Sequence, residues 1–275
     1  MPTRAFRANL GRMTAPAMHT DAPLRRQFLR CATAAVAGVG ALAWLAGRPA
    51  HAAAPRAFQV PRPARWNYEV QAQMRGIPLT AQATMEWAHD GARYRASSEI
   101  QLTLLGKRRQ TSTGRITPIG LLPERFTDES RRTRSVDFNH DQGQVTYTPG
   151  GGSSHTAPLP AGVQDRLSLF LQLAGWLAAA WADGGPHRPA PGSLWTLPVA
   201  GRSDSEPWTF EWLAPQQLTV PAGSAEAWPL RRQPRNADDE TLALWLVPAW
   251  GFVPARIEVR EPGGDVVSQV LKQRI

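Results

Sequence analysis

The stretch from Val163 to Ala182 reads VQDRLSLFLQLAGWLAAAWA, and its pattern decides which architecture the chain can form. Its apolar residues recur at helical spacing, and after Leu167 the polar interruptions other than indoles are Ser168 and Gln172. A helix that is apolar on nearly every side must be buried by other elements. The sequence therefore predicts one buried apolar helix near residues 163–182.

Short runs of alternating apolar and polar residues lie on both sides of this stretch, which is typical of β-strands. The predicted strands before it are near 66–75, 78–88, 92–105, 110–119, 124–129, 132–139 and 143–148. Those after it are near 193–200, 206–213, 216–222, 226–232, 240–247, 253–261 and 265–273. A curled antiparallel sheet formed by these strands could bury the helix on its concave face. We predict a mainly β fold: a curled antiparallel sheet or half-barrel around one buried helix.

The first 52 residues have the pattern of a secretory signal peptide. A basic segment at 25–30 precedes an apolar stretch at 32–47, and an A-x-A site ends at Ala52, where we predict cleavage. The alternative is a transmembrane anchor, but this apolar stretch of about 16 residues is shorter than the ~20 needed to span a bilayer. Met13 or Met18 is an alternative start of the product.

The basic segment of the leader resembles the twin-arginine export motif through Arg25, Arg26, Phe28 and Leu29. Ordinary secretory signals also carry paired arginines, so the general secretory route stays open. Either route leads to the periplasm, and we expect the protein to meet the membrane only through its signal peptide during export.

The basic character of the whole chain, 275 residues with a net charge of +9, would suggest a nucleic-acid or anionic partner. The leader holds seven arginines and one acid, so residues 53–275 keep 24 bases and 21 acids, a net charge of +3, and no cysteine. We therefore predict no nucleic-acid partner. Residues 53–65, with three prolines, are predicted to be a linker, and residues 66–275 a single β-rich domain.

Several strings in the predicted domain resemble a known family when taken in their order along the chain. They are GLLPERF from Gly120, VDF from Val136, DRLS from Asp165, LWL from Leu244 and PARI from Pro254. They resemble the bacterial envelope family known as domain of unknown function 3108, from about Tyr68 to the C-terminus. The resemblance implies a periplasmic β-rich domain similar to lipoprotein-carrier half-barrels, and no catalytic residues. The segment 247–251 departs from the more polar turn expected there.

Ten tryptophans in residues 53–275 are the most unusual feature of the composition. One interpretation is that they fill the space between the sheet and its helix. The other is that they line a cavity for an apolar, lipid-like molecule or a protein partner of the envelope. For that cavity we predict five ligand-binding residues: Phe170, Trp176, Leu177, Trp181 and Trp245.

Residue patterns for catalysis or metal binding are weak in this sequence. There is no G-x-S-x-G motif, and the histidines after the leader occur singly rather than at metal-ligand spacing. We therefore predict no enzyme activity, no metal and no cofactor. Two further functions stay open: a structural or interaction module of the envelope with a filled core, and a hydrolase that uses carboxylates such as Asp137 and Asp165.

Overall fold

The computed structural model describes residues 57–102, 106–182 and 187–275, and in these ranges the protein is built mainly of antiparallel strands. The first eight strands are β1 (Ala64–Met74), β2 (Ile77–His89), β3 (Arg93–Leu102), β4 (Gly106–Thr117), β5 (Gly120–Glu129), β6 (Thr133–Asn139), β7 (Gln144–Thr148) and β8 (His155–Pro158). Helix α1 (Ser168–Ala182) follows. The remaining strands are β9 (Leu194–Ala200), β10 (Ser205–Trp212), β11 (Gln216–Val220), β12 (Gly223–Gln233), β13 (Thr241–Val247), β14 (Val253–Arg260) and β15 (Val266–Arg274), with a 3-10 helix (Pro248–Trp250) before β14.

The strands form one continuous sheet made of two meanders. Its order is β8-β7-β6-β5-β4-β3-β2-β1-β15-β14-β13-β12-β10-β9, and β11 pairs with β12 beside this path. The first and last strands of the domain pair in the middle, where Arg65 and Ile275 exchange two backbone hydrogen bonds. The two ends of the sheet, β8 and β9, are therefore joined in sequence through α1.

The sheet curls until its two ends approach each other. The hydroxyl groups of Tyr147 on β7 and Ser205 on β10 lie 2.6 Å apart, in hydrogen-bonding contact. Backbone hydrogen bonds from Gln164 N to Pro198 O (2.9 Å) and from Ala200 N to Gln164 O (2.8 Å) place the segment before α1 along the edge of β9. The predicted curled antiparallel sheet with one buried helix is confirmed.

Helix α1 begins at Ser168, five residues after the start of the predicted helical stretch. Gln164 pairs in extended conformation with β9, and Asp165 then caps the helix. Asp165 Oδ1 accepts the backbone N–H groups of Leu167 and Ser168, both at 2.8 Å, while Ser168 Oγ accepts the Asp165 N–H at 3.0 Å. This reciprocal capping satisfies donors that the first helical turn leaves unpaired.

The two glutamines of the apolar stretch have a specific role at the start of β5. Strand β6 pairs with β5 only from Arg125 onward, so the edge at Leu121 has no partner strand on that side. Gln172 Oε1 accepts the Leu121 N–H at 2.6 Å, and Gln164 Nε2 donates to Leu121 O at 2.9 Å. A Cβ at Gly120 would overlap the Gln172 amide, so glycine is needed for this close approach.

The concave face of the sheet is filled by α1 and by inward side chains of the strands. Leu169, Leu173 and Leu177 of the helix are fully buried. Six of the ten tryptophans after the leader are buried and four are half-buried. The buried ones are Trp66, Trp87, Trp195, Trp208, Trp212 and Trp228. Most indoles thus pack the interior, and within the described ranges no helix is long and apolar enough to cross a membrane.

Fourteen of the observed strands lie where alternation predicts them, with shifts of a few residues at their ends. Strand β8 and the 3-10 helix at Pro248–Trp250 were not predicted. Strand β8 has four residues in a Gly- and Ser-rich segment, which is too short for an alternating pattern to stand out. The predicted signal peptide, with Arg25, Arg26, Phe28, Leu29 and the cleavage site at Ala52, lies outside the described residues.

Candidate functional site

An open groove of about 630 Å³ lies at the C-terminal end of α1. We call it the Trp181 groove. Its lining comes from the last turns of the helix, the β13–β14 connection, β12 and the segment before β1. The lining residues are Gln59, Ala178, Trp181, Ala182, Arg188, Glu226, Pro248, Ala249 and Phe252. Six of these nine side chains are apolar, and they form the body of the groove.

The indole of Trp181 is the largest side chain of the groove and is held by aromatic neighbours. Trp228 contacts it edge-on with ring centroids 4.7 Å apart, and Phe252 contacts it edge-on at 5.8 Å. Such edge-to-face contacts are the preferred geometry of aromatic pairs. They fix the indole in place although it is only half-buried.

The loop from Pro248 to Phe252 forms one wall of the groove and holds an unusual backbone conformation. Phe252 has φ 63°, directly after Gly251 at φ 75°. A bulky residue in the left-handed region is a genuine outlier and costs on the order of 1–3 kcal/mol. Hydrogen bonds from Phe252 N to Val247 O (2.9 Å) and from Gly251 N to Pro248 O (3.0 Å) stabilise the loop. This left-handed backbone conformation orients the Phe252 ring against Trp181.

Three polar side chains stand at the rim of the groove. The guanidinium carbon of Arg188 lies 3.8 Å from the centroid of the Trp181 ring, a close cation–π contact. Arg188 is exposed and has no carboxylate within ion-pair distance among the described residues. Glu226 and Gln59 complete the rim. The rim therefore carries one cation and one anion, and the Arg188 guanidinium is the group that could bind the anionic end of an apolar chain.

The five predicted ligand-binding residues do not form one site. Trp181 lines the groove, whereas Leu177 is fully buried between helix and sheet and Phe170 is half-buried away from the groove. Trp176 belongs to a second aromatic group, where it meets Trp195 edge-on at 5.9 Å and donates from Nε1 to Ile119 O at 3.2 Å.

Trp245 lies on the opposite face of the sheet. Its neighbours in β13, Leu244 and Leu246, are fully buried on the concave side, and side chains alternate between faces along a strand. Trp245 therefore faces outward with its cross-strand partner Arg256, whose guanidinium carbon lies 4.8 Å from the indole centroid. The alternation of apolar side chains along β13 already indicates from the sequence that Trp245 and its neighbours Leu244 and Leu246 lie on opposite faces of the sheet.

Sequence reasoning missed Phe252, Arg188 and Gln59 as lining residues of the groove. Phe252 and Gln59 are distant from α1 along the chain, so only the fold creates their proximity, whereas Arg188 follows the helix by six residues in a segment without a periodic pattern. One signal was present: the apolar segment 247–251 replaces a more polar turn, and this segment forms the wall of the groove.

The two carboxylates considered for hydrolysis are far from this groove and differ in environment. Burial raises the pKa of Asp165 above the ordinary carboxyl value, and hydrogen bonds, first from Ser112 and then from Ser168 and Leu167, oppose the rise. Ser112 Oγ donates to Asp165 Oδ2 at 2.5 Å and lies 3.1 Å from the Tyr94 hydroxyl. Asp165 thus belongs to a closed polar network inside the core.

Asp137 is on the outer face of the sheet, paired with Arg125 at 2.5 Å. It borders a shallow cavity of about 280 Å³ together with Glu124 and His140, and His140 Nε2 is already hydrogen-bonded to Pro123 O at 2.6 Å. Among the described residues, no group of three or more His, Cys, Asp or Glu side chains is placed to hold a metal ion.

A charged cavity of about 270 Å³ lies near the start of α1. Trp208 is buried there in contact with two guanidinium groups, with Arg232 at 4.1 Å and Arg166 at 5.0 Å from its centroid. Arg232 is itself buried and ion-paired with Glu206 (3.1 Å) and Asp239 (3.2 Å). Burial, followed by the charges of other arginines, lowers the pKa of Arg166 to about 10. These mutual ion pairs close that end of the interior.

Comparison with known proteins places the chain in a family. A family model described as a protein of unknown function, DUF3108, matches residues 67–271. The chain belongs to the DUF3108 family. This confirms the resemblance carried by the ordered strings of the sequence. The DUF3108 protein matches no curated protein in sequence.

Three solved structures resemble the DUF3108 protein in fold. A β-barrel-like protein of domain of unknown function DUF1849 from Brucella abortus shares 11% identity and a TM-score of 0.46, covering 78% of this chain and 98% of the other. A DUF1329 family protein from Desulfovibrio piger shares 7% identity and a TM-score of 0.30, covering 78% and 85%. A domain from Vibrio parahaemolyticus, named for outer membrane lipoprotein sorting, shares 6% identity and a TM-score of 0.27, covering 78% and 84%. These low values carry no inference about function.

Proposed function

We propose that this DUF3108 protein is a periplasmic binding protein without enzymatic activity, which holds the apolar chain of an anionic amphiphile in the Trp181 groove. The observation that carries the proposal is the groove itself, which combines an apolar patch around Trp181 with a polar rim at the C-terminal end of α1. Its volume of about 630 Å³ is within the ~300–1,000 Å³ typical of small-molecule sites.

The wall of the groove supports this choice of site. Backbone strain is retained where surrounding structure enforces it, and such strain clusters at binding sites. Phe252 is strained and sits beside the exposed apolar residue Ala249 in the same loop. Burying this apolar lining against a ligand chain would remove it from water, which is the dominant source of affinity for apolar molecules.

Arg188, rather than the rim as a whole, gives the proposal its charge preference, because Glu226 on the same rim is an anion. Arg188 lies over Trp181 at the mouth of the groove and, among the described residues, has no carboxylate partner. A carboxylate or phosphate at the end of an acyl chain would form a charge-assisted hydrogen bond with this guanidinium. A fatty acid is the simplest molecule that combines both features.

A second candidate function, an interaction module of the envelope, is favoured by a different observation. Helix α1 packs into the concave face, with Leu169, Leu173 and Leu177 fully buried, so protein side chains occupy the place where a half-barrel could hold a lipid. In this alternative the Trp181 groove receives an apolar side chain of a protein partner.

Palmitate binding to the purified, delipidated protein tests the first candidate. We expect one palmitate per chain in native mass spectrometry and a change of indole fluorescence from Trp181. Ala249→Glu should weaken palmitate binding at least about tenfold, because it puts a carboxylate against the apolar chain and its anionic end. Ala161→Glu is the matched control, since Ala161 is also exposed but lies outside the groove.

Arg188→Gln separates the two features of the groove. It should weaken palmitate binding severalfold while leaving the binding of neutral 1-hexadecanol unchanged. Absence of palmitate binding by the wild type and by every variant, or equal and measurable binding by Ala249→Glu and the wild type, would refute the amphiphile proposal. A photo-crosslink from position 249 to one envelope protein, lost in Trp181→Ala, would then favour the interaction module.

A further inference from the structure

The segment before β1, residues 57–61, lies across α1 as a strap. Its C-terminal end is firmly held, because the buried Pro61 carbonyl accepts hydrogen bonds from Trp87 Nε1 (2.9 Å) and His89 Nε2 (3.0 Å). Trp87 is itself buried in the core and contacts Tyr94 at a centroid distance of 5.3 Å. Pro61 is therefore a fixed point of the strap.

The N-terminal end of the strap is held by two contacts with one helical residue. The half-buried ring of Phe58 sits on Gly175, where a Cβ would overlap the ring, and Gln59 N donates to Gly175 O at 3.1 Å. Glycine in a helix interior lowers helix stability relative to alanine. Gly175 therefore serves the contact with Phe58 rather than the helix.

The strap and the Trp181 groove are continuous. The side chain of Gln59, next to Phe58, is part of the groove lining. Ala178 lies three residues after Gly175, which puts both on the same face of α1, and Ala178 also lines the groove. An apolar chain that extends along the helix beyond Ala178 meets the ring of Phe58.

We infer that the strap gates the extension of this groove along α1 towards Gly175, an inference that rests on the proposed function. Phe58 occupies the slot at Gly175 in the empty protein and leaves it when an apolar chain enters, while Pro61 keeps the strap attached. The ring thus competes with the ligand. The measured affinity is reduced by the fraction of molecules in which the slot is free.

Two substitutions that act on opposite sides of the contact test the gate. Phe58→Ala removes the competing ring, and Gly175→Ala displaces it with a methyl group while improving helix propensity. Both should tighten palmitate binding by about tenfold, the effect of freeing a slot that is open in about a tenth of molecules. Arg62→Ala, an exposed position after the fixed point, should leave the dissociation constant unchanged.

The double variant Phe58→Ala/Gly175→Ala tests whether both substitutions act by removing the competition between the Phe58 ring and palmitate. Once Phe58 is alanine, Gly175→Ala has no ring to displace, so the two effects should not add. Amide hydrogen exchange of Gln59 gives a direct readout in the wild type. Palmitate should accelerate this exchange, whereas a strap with a purely structural role would keep or increase its protection. Near-UV circular dichroism checks that each variant is folded.

The outcomes separate the gate from the proposed function. The gate is overturned if the wild type binds palmitate, both variants bind it with the wild-type dissociation constant, and Gln59 stays protected. The proposal that palmitate binds in the groove is then still supported. Binding by Phe58→Ala but not by the wild type supports a gate that is tightly closed. Absence of binding in the wild type and in every variant overturns the groove and the gate together.

Discussion

Asp165 shows how one residue can combine a structural role with a charge that its surroundings disfavour. It caps α1, accepts a hydrogen bond from Ser112 and has no contact with solvent. Desolvation raises its pKa, so its neutral form is favoured in the folded state more than in the unfolded chain. The carboxylate considered for catalysis is therefore a cap that titrates inside the core.

Asp165→Asn should remove a pH dependence of stability with an unusual sign. Between the ordinary carboxyl pKa of about 4 and the raised value, the folded state binds the proton and the unfolded state does not. Wild-type stability should therefore rise relative to the asparagine variant as the pH falls through this window. The slope should not exceed about 1.4 kcal/mol per pH unit, the limit for one proton.

Urea unfolding of both proteins in steps from pH 7 to pH 4 measures this difference. The comparison cancels other groups, such as Asp90, whose pKa is lowered by hydrogen bonds from the backbone of Arg93 and Ala92 and which acts in the opposite direction. A constant difference between the two proteins over the whole range would contradict the assignment to Asp165.

At the level of elements, helix α1 and the start of β5 are joined by hydrogen bonds rather than by apolar contact alone. Gln172 and Gln164 satisfy the free N–H and C=O of Leu121, which strand β6 does not reach. A buried backbone group left without a partner costs about 1–3 kcal/mol. This explains why an otherwise apolar helix carries a buried glutamine.

Gln172→Leu should lower the free energy of unfolding by about 1–3 kcal/mol, because the Leu121 N–H then has no acceptor. The measurement is the midpoint and slope of urea unfolding. Gln144→Leu, on the exposed surface of β7, is the matched control and should change stability by less than about 0.5 kcal/mol. Equal effects of the two substitutions would show that the hydrogen bond to Leu121 contributes nothing.

On the scale of the whole molecule, the sheet is held in its curl at the ends and in the middle. Tyr147 and Ser205 join the far ends, and β1 pairs with β15 in the centre. The strap before β1 is therefore tied to the most central part of the sheet.

The predicted signal peptide leads to two expectations, one about where the chain is cleaved and one about its export route. N-terminal sequencing of the protein recovered from the periplasm should begin near Ala53, because the A-x-A site ends at Ala52. Replacement of Arg25 and Arg26 by lysine should stop export if the twin-arginine route is used. Continued export would indicate the general secretory route, and a product that retains residue 25 would exclude cleavage.

The sequence by itself determined the class of fold, the strands and the burial of α1. These follow from local periodicity, since alternation marks which side of a strand is buried and an all-round apolar helix must be enclosed. The sequence also identified the DUF3108 family, through the order of strings such as GLLPERF and DRLS.

Only the tertiary structure decided the candidate site. Gln59, Glu226 and Phe252 line one groove with Trp181 because the sheet curls around the helix, and no local pattern encodes the proximity of such distant parts of the chain. Trp176 and Trp181, five residues apart, point to different sides of α1, and the sheet gives each its own aromatic neighbours. Periodicity sets which side chains are buried, whereas long-range pairing sets which of them become neighbours.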